Sequence, residues 1–343
     1  MRILIVSDAW LPQVNGVVRT YQNIIRELEA TGHTVRVVGP GDFVTLPLPT
    51  YKEIRLALLP YFRLSKIIRD FRPDAIHIPV EGPLGWAARR WCIWHKRSYT
   101  TSYHTHFPDY AAERVTFLGR HVQECVRRLM VVHIRRFHAR AKATFVATQS
   151  LEDNLRRWGF KGRLVRLVRG ADFSMLHPGD KTEFGGLPKP VMLYVGRISI
   201  EKNLEAFLNL DLPGTKVLVG AGPALEELQA RYQDAVFTGM KTGADLAAHY
   251  RSADVFVFPS RTDTFGMVII EAMASGLPVA GYRATGPKDI ITDPITGATD
   301  DDLRQAITQA LAAPGTVGDR FVYAQAHYSW PPVAETFLNT QKS

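Results

Sequence analysis

Short apolar runs recur along this chain, each followed by a helix-compatible stretch. After one break rich in Gly and Pro, the same rhythm starts again. RILIVSD (2–8), TVRVVGP (34–40), DAIHIP (74–79), SYTTSYH (98–104) and ATFVATQS (143–150) form the first series. VMLYVGR (191–197), KVLVGAG (216–222), AVFTGM (235–240), DVFVFPS (254–260) and LPVAGY (277–282) form the second. Continuous apolar runs of this length suit strands buried on both faces. Strands that alternate with helices build parallel sheets, because each parallel return needs a crossover and the helix supplies it. The chain is therefore expected to be α/β twice over.

A chain of 343 residues has room for two domains, each with its own core. The break at VRGADFSMLHPGDKTEFGGLPKP (168–190) reads as the linker between them. The expected layout is two Rossmann-like domains, 1–172 and 173–328, facing one cleft. Neither first strand is followed by G-x-G-x-x-G. The first loop, SDAWLPQVNGVVR, is too long and bulky for a dinucleotide fingerprint, which argues against hydride transfer. No apolar run approaches the roughly 18 residues that would span a bilayer, and MRILIVSD is too short for a signal-peptide core. Cys92 and Cys125 lack metal-ligand spacing, so a reduced cytosol is expected and no metal motif is present.

Charge separates the two halves. Residues 1–175 carry 28 Lys+Arg against 14 Asp+Glu, while residues 176–343 carry 14 against 19. A basic half suggests a face for a polyanion, either nucleic acid or an anionic lipid surface. Three basic stretches are also aromatic or apolar. Residues 61–72 hold Phe62 and Arg63, and residues 82–97 hold Trp86, Trp91 and Trp94 among Arg89 and Arg90. Residues 115–142 read as one long helix, with Leu118, Val122, Cys125, Leu129, Met130, His133 and Phe137 on a face. Arg127, Arg128 and Arg135 lie on its other sides. Interleaved rings and cations suit a lipid headgroup layer. The plainer reading is that the apolar residues face the core and the cations face water.

In the second half, the stretch SRTDTFGMVIIEAMASGLPVA (260–280) follows a buried strand, turns, and enters a helix. Val268, Ile269, Ala272 and Met273 share a face of that helix, and Gly276 is placed to stop it at a left-handed cap. Ligands of parallel α/β sheets sit in turns of this kind, beyond the strands' carboxyl ends. Gly266 admits a ligand close to the backbone, and the first N–H groups of the helix, at Met267 and Val268, suit an anion. Asp263 lies in the turn and Glu271 eight residues later on the helix, where carboxylates can accept hydrogen bonds from sugar or ribose hydroxyls.

This stretch resembles the Glu-x7-Glu signature of retaining glycosyltransferases of GT-B fold, glycosyltransferase family 4. It departs in having Asp263 at the first acidic position. The resemblance implies Glu271 as the ribose ligand and Asp263 near the donor sugar. It also implies that the terminal segment, 329–343, packs back on the first domain. In the first loop, P-x-x-N-G-V resembles family members that place this glycine, Gly16, near the donor diphosphate. YTTSYHTHFPDY (99–110) resembles the S-Y-H-T-H segment of enzymes that glycosylate lipids and of some GDP-mannose-dependent mannosyltransferases. His104 matches the family's active-site histidine there, with His106 and Asp109 nearby. In VGRISIEKN (195–203) the match assigns Arg197 and Lys202 to the diphosphate, where fixed cations offset the charge of the leaving group. Gly222 and Met240 are expected to line the nucleotide.

These readings combine into one expectation. The chain is a metal-independent retaining glycosyltransferase, with no cofactor beyond its substrate nucleotide sugar. A UDP-sugar is the favoured donor and GDP-mannose the alternative, and the acceptor is a membrane lipid such as diacylglycerol. The enzyme is expected in the cytoplasm, peripheral on the inner face of the membrane. A nucleic-acid module would not need the Arg197, Lys202 and Glu271 set, so nucleic acid is not expected as a partner. RATGPKDII (283–291) departs from the family's Gly-Gly-x-x-Glu.

Overall fold

The computed structural model describes residues 1–13, 15–48, 51–104 and 119–342. It divides into two compact units. One is Met1–Val168 with Trp330–Ser343, and the other is Arg169–Ser329. The division falls at 168/169 rather than 172/173, so the Gly- and Pro-rich stretch goes with the second unit.

The first unit contains β1 (Arg2–Val6), β2 (Thr34–Val38), β3 (Thr45–Leu48), β4 (Tyr51–Ala57), β5 (Ala75–Ile78), β6 (Thr100–Tyr103), β7 (Ala143–Val146) and β8 (Leu164–Arg166). Its helices are α1 (Gly16–Ala30), α2 (Tyr61–Phe71), α3 (Pro83–Trp94), α4 (Arg120–His138) and α5 (Gln149–Arg157). Six of the described strands form one parallel sheet in the order β2-β1-β5-β6-β7-β8. Ile3 to Val6 are wholly buried because helices cover both faces, which is why the strand reads as one apolar run. Direction along the sheet reverses between β1 and β5. β3 and β4 form a separate antiparallel ribbon that the apolar pattern did not reveal. Charged residues interrupt YKEIRLA, so it does not read as one apolar run, and its last residue, Ala57, is buried in the first unit's core.

The second unit contains β9 (Val191–Val195), β10 (Thr215–Val219), β11 (Val236–Gly239), β12 (Val255–Phe258), β13 (Val279–Tyr282) and β14 (Gly297–Asp300). Its helices are α6 (Leu204–Leu208), α7 (Leu225–Arg231), α8 (Gly243–Ser252), α9 (Met267–Ala274), α10 (Pro287–Ile290), α11 (Leu303–Leu311) and α12 (Val317–His327). The parallel sheet runs β11-β10-β9-β12-β13-β14, strand order 3-2-1-4-5-6, where the first unit's sheet runs 2-1-3-4-5-6. In such a sheet the crevice for a ligand opens where the winding reverses, here between β9 and β12. The last helix, α13 (Trp330–Lys342), belongs to the first unit.

Helix α9 buries Ile269, Ile270, Ala272 and Met273 and leaves Val268 half-buried. It stops as the sequence predicts. Gly276 has φ +85°, its N–H donates to Met273 O at 2.9 Å, and Leu277 N–H donates to Ala272 O at 2.9 Å. Those two bonds satisfy carbonyls that the helix end would otherwise leave unpaired.

Candidate functional site

In the second unit, the loops after β9 and β12 flank the reversal point. Lys202 lies in the 3-10 turn Ile200–Lys202 after β9, and Asp263 lies in the turn after β12. The Lys202 ammonium donates to both Asp263 oxygens at 2.8 Å. Asn203 Nδ2 donates to Pro259 O at 3.1 Å, tying the same two loops a second time. Asp263 therefore does not cap α9, which begins at Gly266 with φ +87° and no side-chain cap. Lys202 is not the free cation that the sequence suggests, because its charge is held by a carboxylate.

Arg197 is exposed, and among the described residues no carboxylate lies within ion-pair distance of it. Its backbone is held firmly. Tyr194 donates its hydroxyl to Arg197 O at 2.9 Å, and burial pushes that phenol above its ordinary range, so it remains a donor. The next residue is clamped from both sides: Ile198 N–H donates to Ala221 O at 3.0 Å, and Ala224 N–H donates to Ile198 O at 3.1 Å. Ser199, in the same turn, has a buried hydroxyl with no hydrogen-bond partner among the described residues.

Gly222 sits inside that clamp. A Cβ built on it would lie 2.2 Å from Ile198 O, so this glycine permits two loops to close on each other. Met240 is 73% exposed just beyond β11. Met267 is half-buried at the start of α9. Glu271 is half-buried on α9 and accepts a hydrogen bond from the Tyr250 hydroxyl at 2.9 Å. Tyr250, on α8, escaped the sequence reading, since nothing local marks a tyrosine as a carboxylate's partner.

In the first unit, the loop after β1 carries Asp8 and ends at Asn15–Gly16. Asn15 Oδ1 accepts from Val17 N–H at 3.0 Å and from Val18 N–H at 3.1 Å. The start of α1 is thus already capped by its own side chain, which leaves fewer N–H groups for an anion than the sequence implies. Gly16 opens the helix, and no atom lies within 4 Å of where its Cβ would be.

Asp8 was not singled out in the sequence. It is 5% exposed and accepts from Leu84 N–H at 2.8 Å and Gly85 N–H at 3.0 Å, capping α3 across the sheet's reversal point. Burial pushes its carboxyl up to about 6, against the pull of those N–H groups. The folded chain therefore holds this proton more tightly than the unfolded chain, whose value is 3.8. The stabilisation is present below about pH 4 and is lost as pH rises through 6. Urea unfolding from pH 4 to 7 should show wild type losing stability relative to Asp8→Asn, by on the order of 2–3 kcal/mol.

His104 is half-buried just past β6, with Nε2 3.4 Å from the Tyr21 hydroxyl. His106 and Asp109 lie outside the described residues. Of the residues expected at a membrane or acceptor, Trp86, Arg89 and Arg90 come together. They line a cavity of about 910 Å³ shared with Phe62, Trp94 and Arg140. Arg90 lies over the Trp94 ring at 4.2 Å. Arg89 has a structural task as well, donating to Phe137 O at 2.9 Å and Arg136 O at 2.8 Å near the end of α4. Trp86 donates to His133 Nε2 at 3.1 Å.

Helix α4 corrects the sequence on several points. Residues 115–118, with Leu118, lie outside the described residues; the described span is Arg120–His138, ending short of 142, and within it only Ile134, Phe137 and His138 are buried. Val122, Leu129 and Val132 are exposed. Arg127 and Arg128 both pair with Glu124, at 2.8 and 2.9 Å. Arg135 lies against Gly159 instead of joining the cavity.

Among the described residues, no helix is long and apolar enough to cross a membrane. Residues 14–174 match Glycosyltransferase Family 4, and residues 189–313 match Glycosyl transferases group 1. The GDP-mannose-dependent alpha-mannosyltransferase of Mycobacterium tuberculosis (strain CDC 1551 / Oshkosh) is 31% identical over 98% of this chain and 95% of its own length. Sulfoquinovosyl transferase SQD2 of Arabidopsis thaliana is 32% identical over 86% of this chain and 62% of its own length. Among solved structures, sucrose-phosphate synthase from Thermosynechococcus elongatus has a TM-score of 0.76 at 21% identity, covering 99% of this chain and 98% of that one, a likeness of fold. With both units matched and a relative aligned over nearly its whole length, this chain belongs to glycosyltransferase family 4, a transferase of GT-B fold that takes its sugar from a nucleotide-sugar donor.

Proposed function

We propose that the chain is a retaining glycosyltransferase that moves a hexose-type sugar to a membrane lipid, with Arg197 and Lys202 receiving the donor's diphosphate. The observation that carries this reading is the loop after β9 at the β9/β12 reversal, which holds both Lys202, fixed by Asp263, and Arg197, open to solvent. As the bond from the anomeric carbon to phosphate breaks, negative charge grows on the phosphate, and two preplaced cations lower that barrier. This role needs no metal. The acceptor oxygen attacks on the face that the phosphate leaves, and its proton passes to a departing phosphate oxygen. Glu271, held by Tyr250, is assigned to the ribose, and His104 to the transferred sugar.

The lipid acceptor is supported by the cavity in the first unit. Its Arg89, Arg90, Arg136 and Arg140 have no carboxylate partner among the described residues, while Leu59, Phe62 and Trp94 stand exposed beside them. Cations and rings together suit an anionic headgroup layer, which supports a position on the inner membrane face. The donor has two readings. The S-Y-H-T-H resemblance in the sequence favours a UDP-sugar, and the nearly full-length match to a GDP-mannose-dependent enzyme favours GDP-mannose.

A thermal-shift panel of UDP-glucose, UDP-galactose, UDP-glucuronate, UDP-sulfoquinovose and GDP-mannose tests the donor. One compound should raise Tm selectively, and a flat panel defeats the reading. Vesicle flotation tests the surface. Binding should require anionic lipid, and equal binding to zwitterionic vesicles would remove the membrane assignment.

A further inference from the structure

Positive charge collects in the cavity of the first unit with nothing to offset it. Arg89 of α3, Arg136 in the last turn of α4 and Arg140 just past it all line that cavity, and no Asp or Glu does. Among the described residues, none of the three has a carboxylate within ion-pair distance. They stand close enough to act on one another. Burial lowers the Arg89 pKa below its ordinary range, and the charges of Arg140 and Arg136 lower it further. Tyr99 is 3% exposed beside Arg89, and its hydroxyl makes no well-formed hydrogen bond among the described residues. Like charges gathered in a concavity, beside a buried hydroxyl left over, are relieved when an anion enters.

The rest of the lining is apolar. Leu59, Phe62 and Trp94 stand exposed, and Arg90 lies over the Trp94 and Tyr61 rings at 4.2 and 5.4 Å. A ligand that suits both parts carries an anionic group and an apolar body. Arginine forks match the oxygens of a phosphate, and exposed rings and aliphatic side chains suit acyl chains below a headgroup layer. The position of the cations in the fold separates this ligand from the acceptor. Lys142 N–H donates to Tyr99 O at 2.9 Å, which ties together the amino ends of β7 and β6, and Arg140 comes two residues before Lys142. His104 follows β6 at its other, carboxyl end. Extended chain from residue 99 to residue 104 spans roughly 16 Å, more than a phospholipid headgroup bridges.

We propose that this cavity binds one anionic phospholipid by its phosphate, on Arg89, Arg136 and Arg140, and that this lipid anchors the enzyme without being its acceptor. The cavity is then a discrete, saturable site rather than part of a diffuse basic surface. The second clause rests on the assignment of His104 to the transferred sugar, whereas the phosphate site does not.

The test titrates the full chain, by calorimetry, with dihexanoyl phosphatidylglycerol below its micellar concentration. Saturable one-to-one binding is expected, and dihexanoyl phosphatidylcholine, whose ammonium meets the arginines, should bind about tenfold more weakly. Arg140→Ala should weaken binding about tenfold, the loss of one charge-assisted partner, and Arg136→Ala/Arg140→Ala should abolish it. Both side chains are exposed, so the variants should keep the wild-type Tm. Wild type with no saturable binding overturns the proposal whatever the variants do, and so does undiminished binding by the double variant. Inorganic phosphate binding as tightly as the lipid would make this a free-anion site and overturn the lipid assignment. Mass spectra of lipid recovered after turnover on vesicles of diacylglycerol and phosphatidylglycerol decide the second clause. Phosphatidylglycerol should return without a sugar, and a glycosylated form overturns its role as an anchor. Flotation that ignores lipid charge defeats the membrane-surface reading, and the titration with monomeric lipid still decides the cavity.

Discussion

Lys202→Ala is expected to lower kcat by roughly 10²–10³-fold, the range for removing one fixed donor to a developing oxyanion. Arg197→Ala should fall in the same range. The geometry adds a second expectation for Lys202. Its ammonium touches both oxygens of Asp263 at 2.8 Å, so deleting it leaves a half-buried carboxylate facing the incoming diphosphate. The loss in Lys202→Ala therefore has two parts, a missing cation and an uncompensated anion. Removing the anion as well, in Lys202→Ala/Asp263→Asn, should recover part of the rate. Initial rates with the donor varied and the acceptor saturating measure both. A single variant with wild-type kcat would dismiss the diphosphate role. A double variant no faster than the single would mean that Asp263 acts on the sugar in its own right.

Gly222→Ala is expected to destabilise the second unit by about 2–3 kcal/mol, the cost of overpacking a tight contact. The built Cβ lies 2.2 Å from a carbonyl oxygen that itself accepts from Ala224 N–H, so neither atom is the free end of a flexible side chain. Relief requires opening the clamp on Ile198, one residue from Arg197. Donor affinity should fall along with stability. Calorimetry should show a Tm loss of roughly 5–10 °C for a unit of this size. If Tm holds and only donor binding is lost, the glycine serves the ligand's approach and not the closure of the loops.

Parts of this site could be read directly from the chain. The Gly276 cap, the apolar face of α9 and the turn carrying Asp263 follow from local rules of spacing and backbone freedom. The pairing of Arg127 and Arg128 is local too, since Glu124 stands three and four residues before them, a spacing that meets on one helix face. Other features had no local signal. Asp8 caps a helix that begins 75 positions further along the chain, and Tyr250 holds a glutamate on another helix. In α4 the pattern misled, because its apolar residues outnumber the buried positions available: only the last turn and a half reaches the core.

The sequence by itself determined the two α/β units, the strands that fill their sheets, and the loops that carry ionisable side chains at strand ends. Those properties depend on spacing within about ten residues, and a parallel strand covered on both faces must be apolar wherever it lies in the sheet. Only the tertiary structure decided the partners. Lys202 meets Asp263 because β9 and β12 became neighbours at the reversal of winding, and Tyr21 of α1 meets His77 of β5 and Ser102 of β6, 56 and 81 positions further along the chain. Strand order brings together residues that are remote along the chain, and periodicity carries no information about strand order.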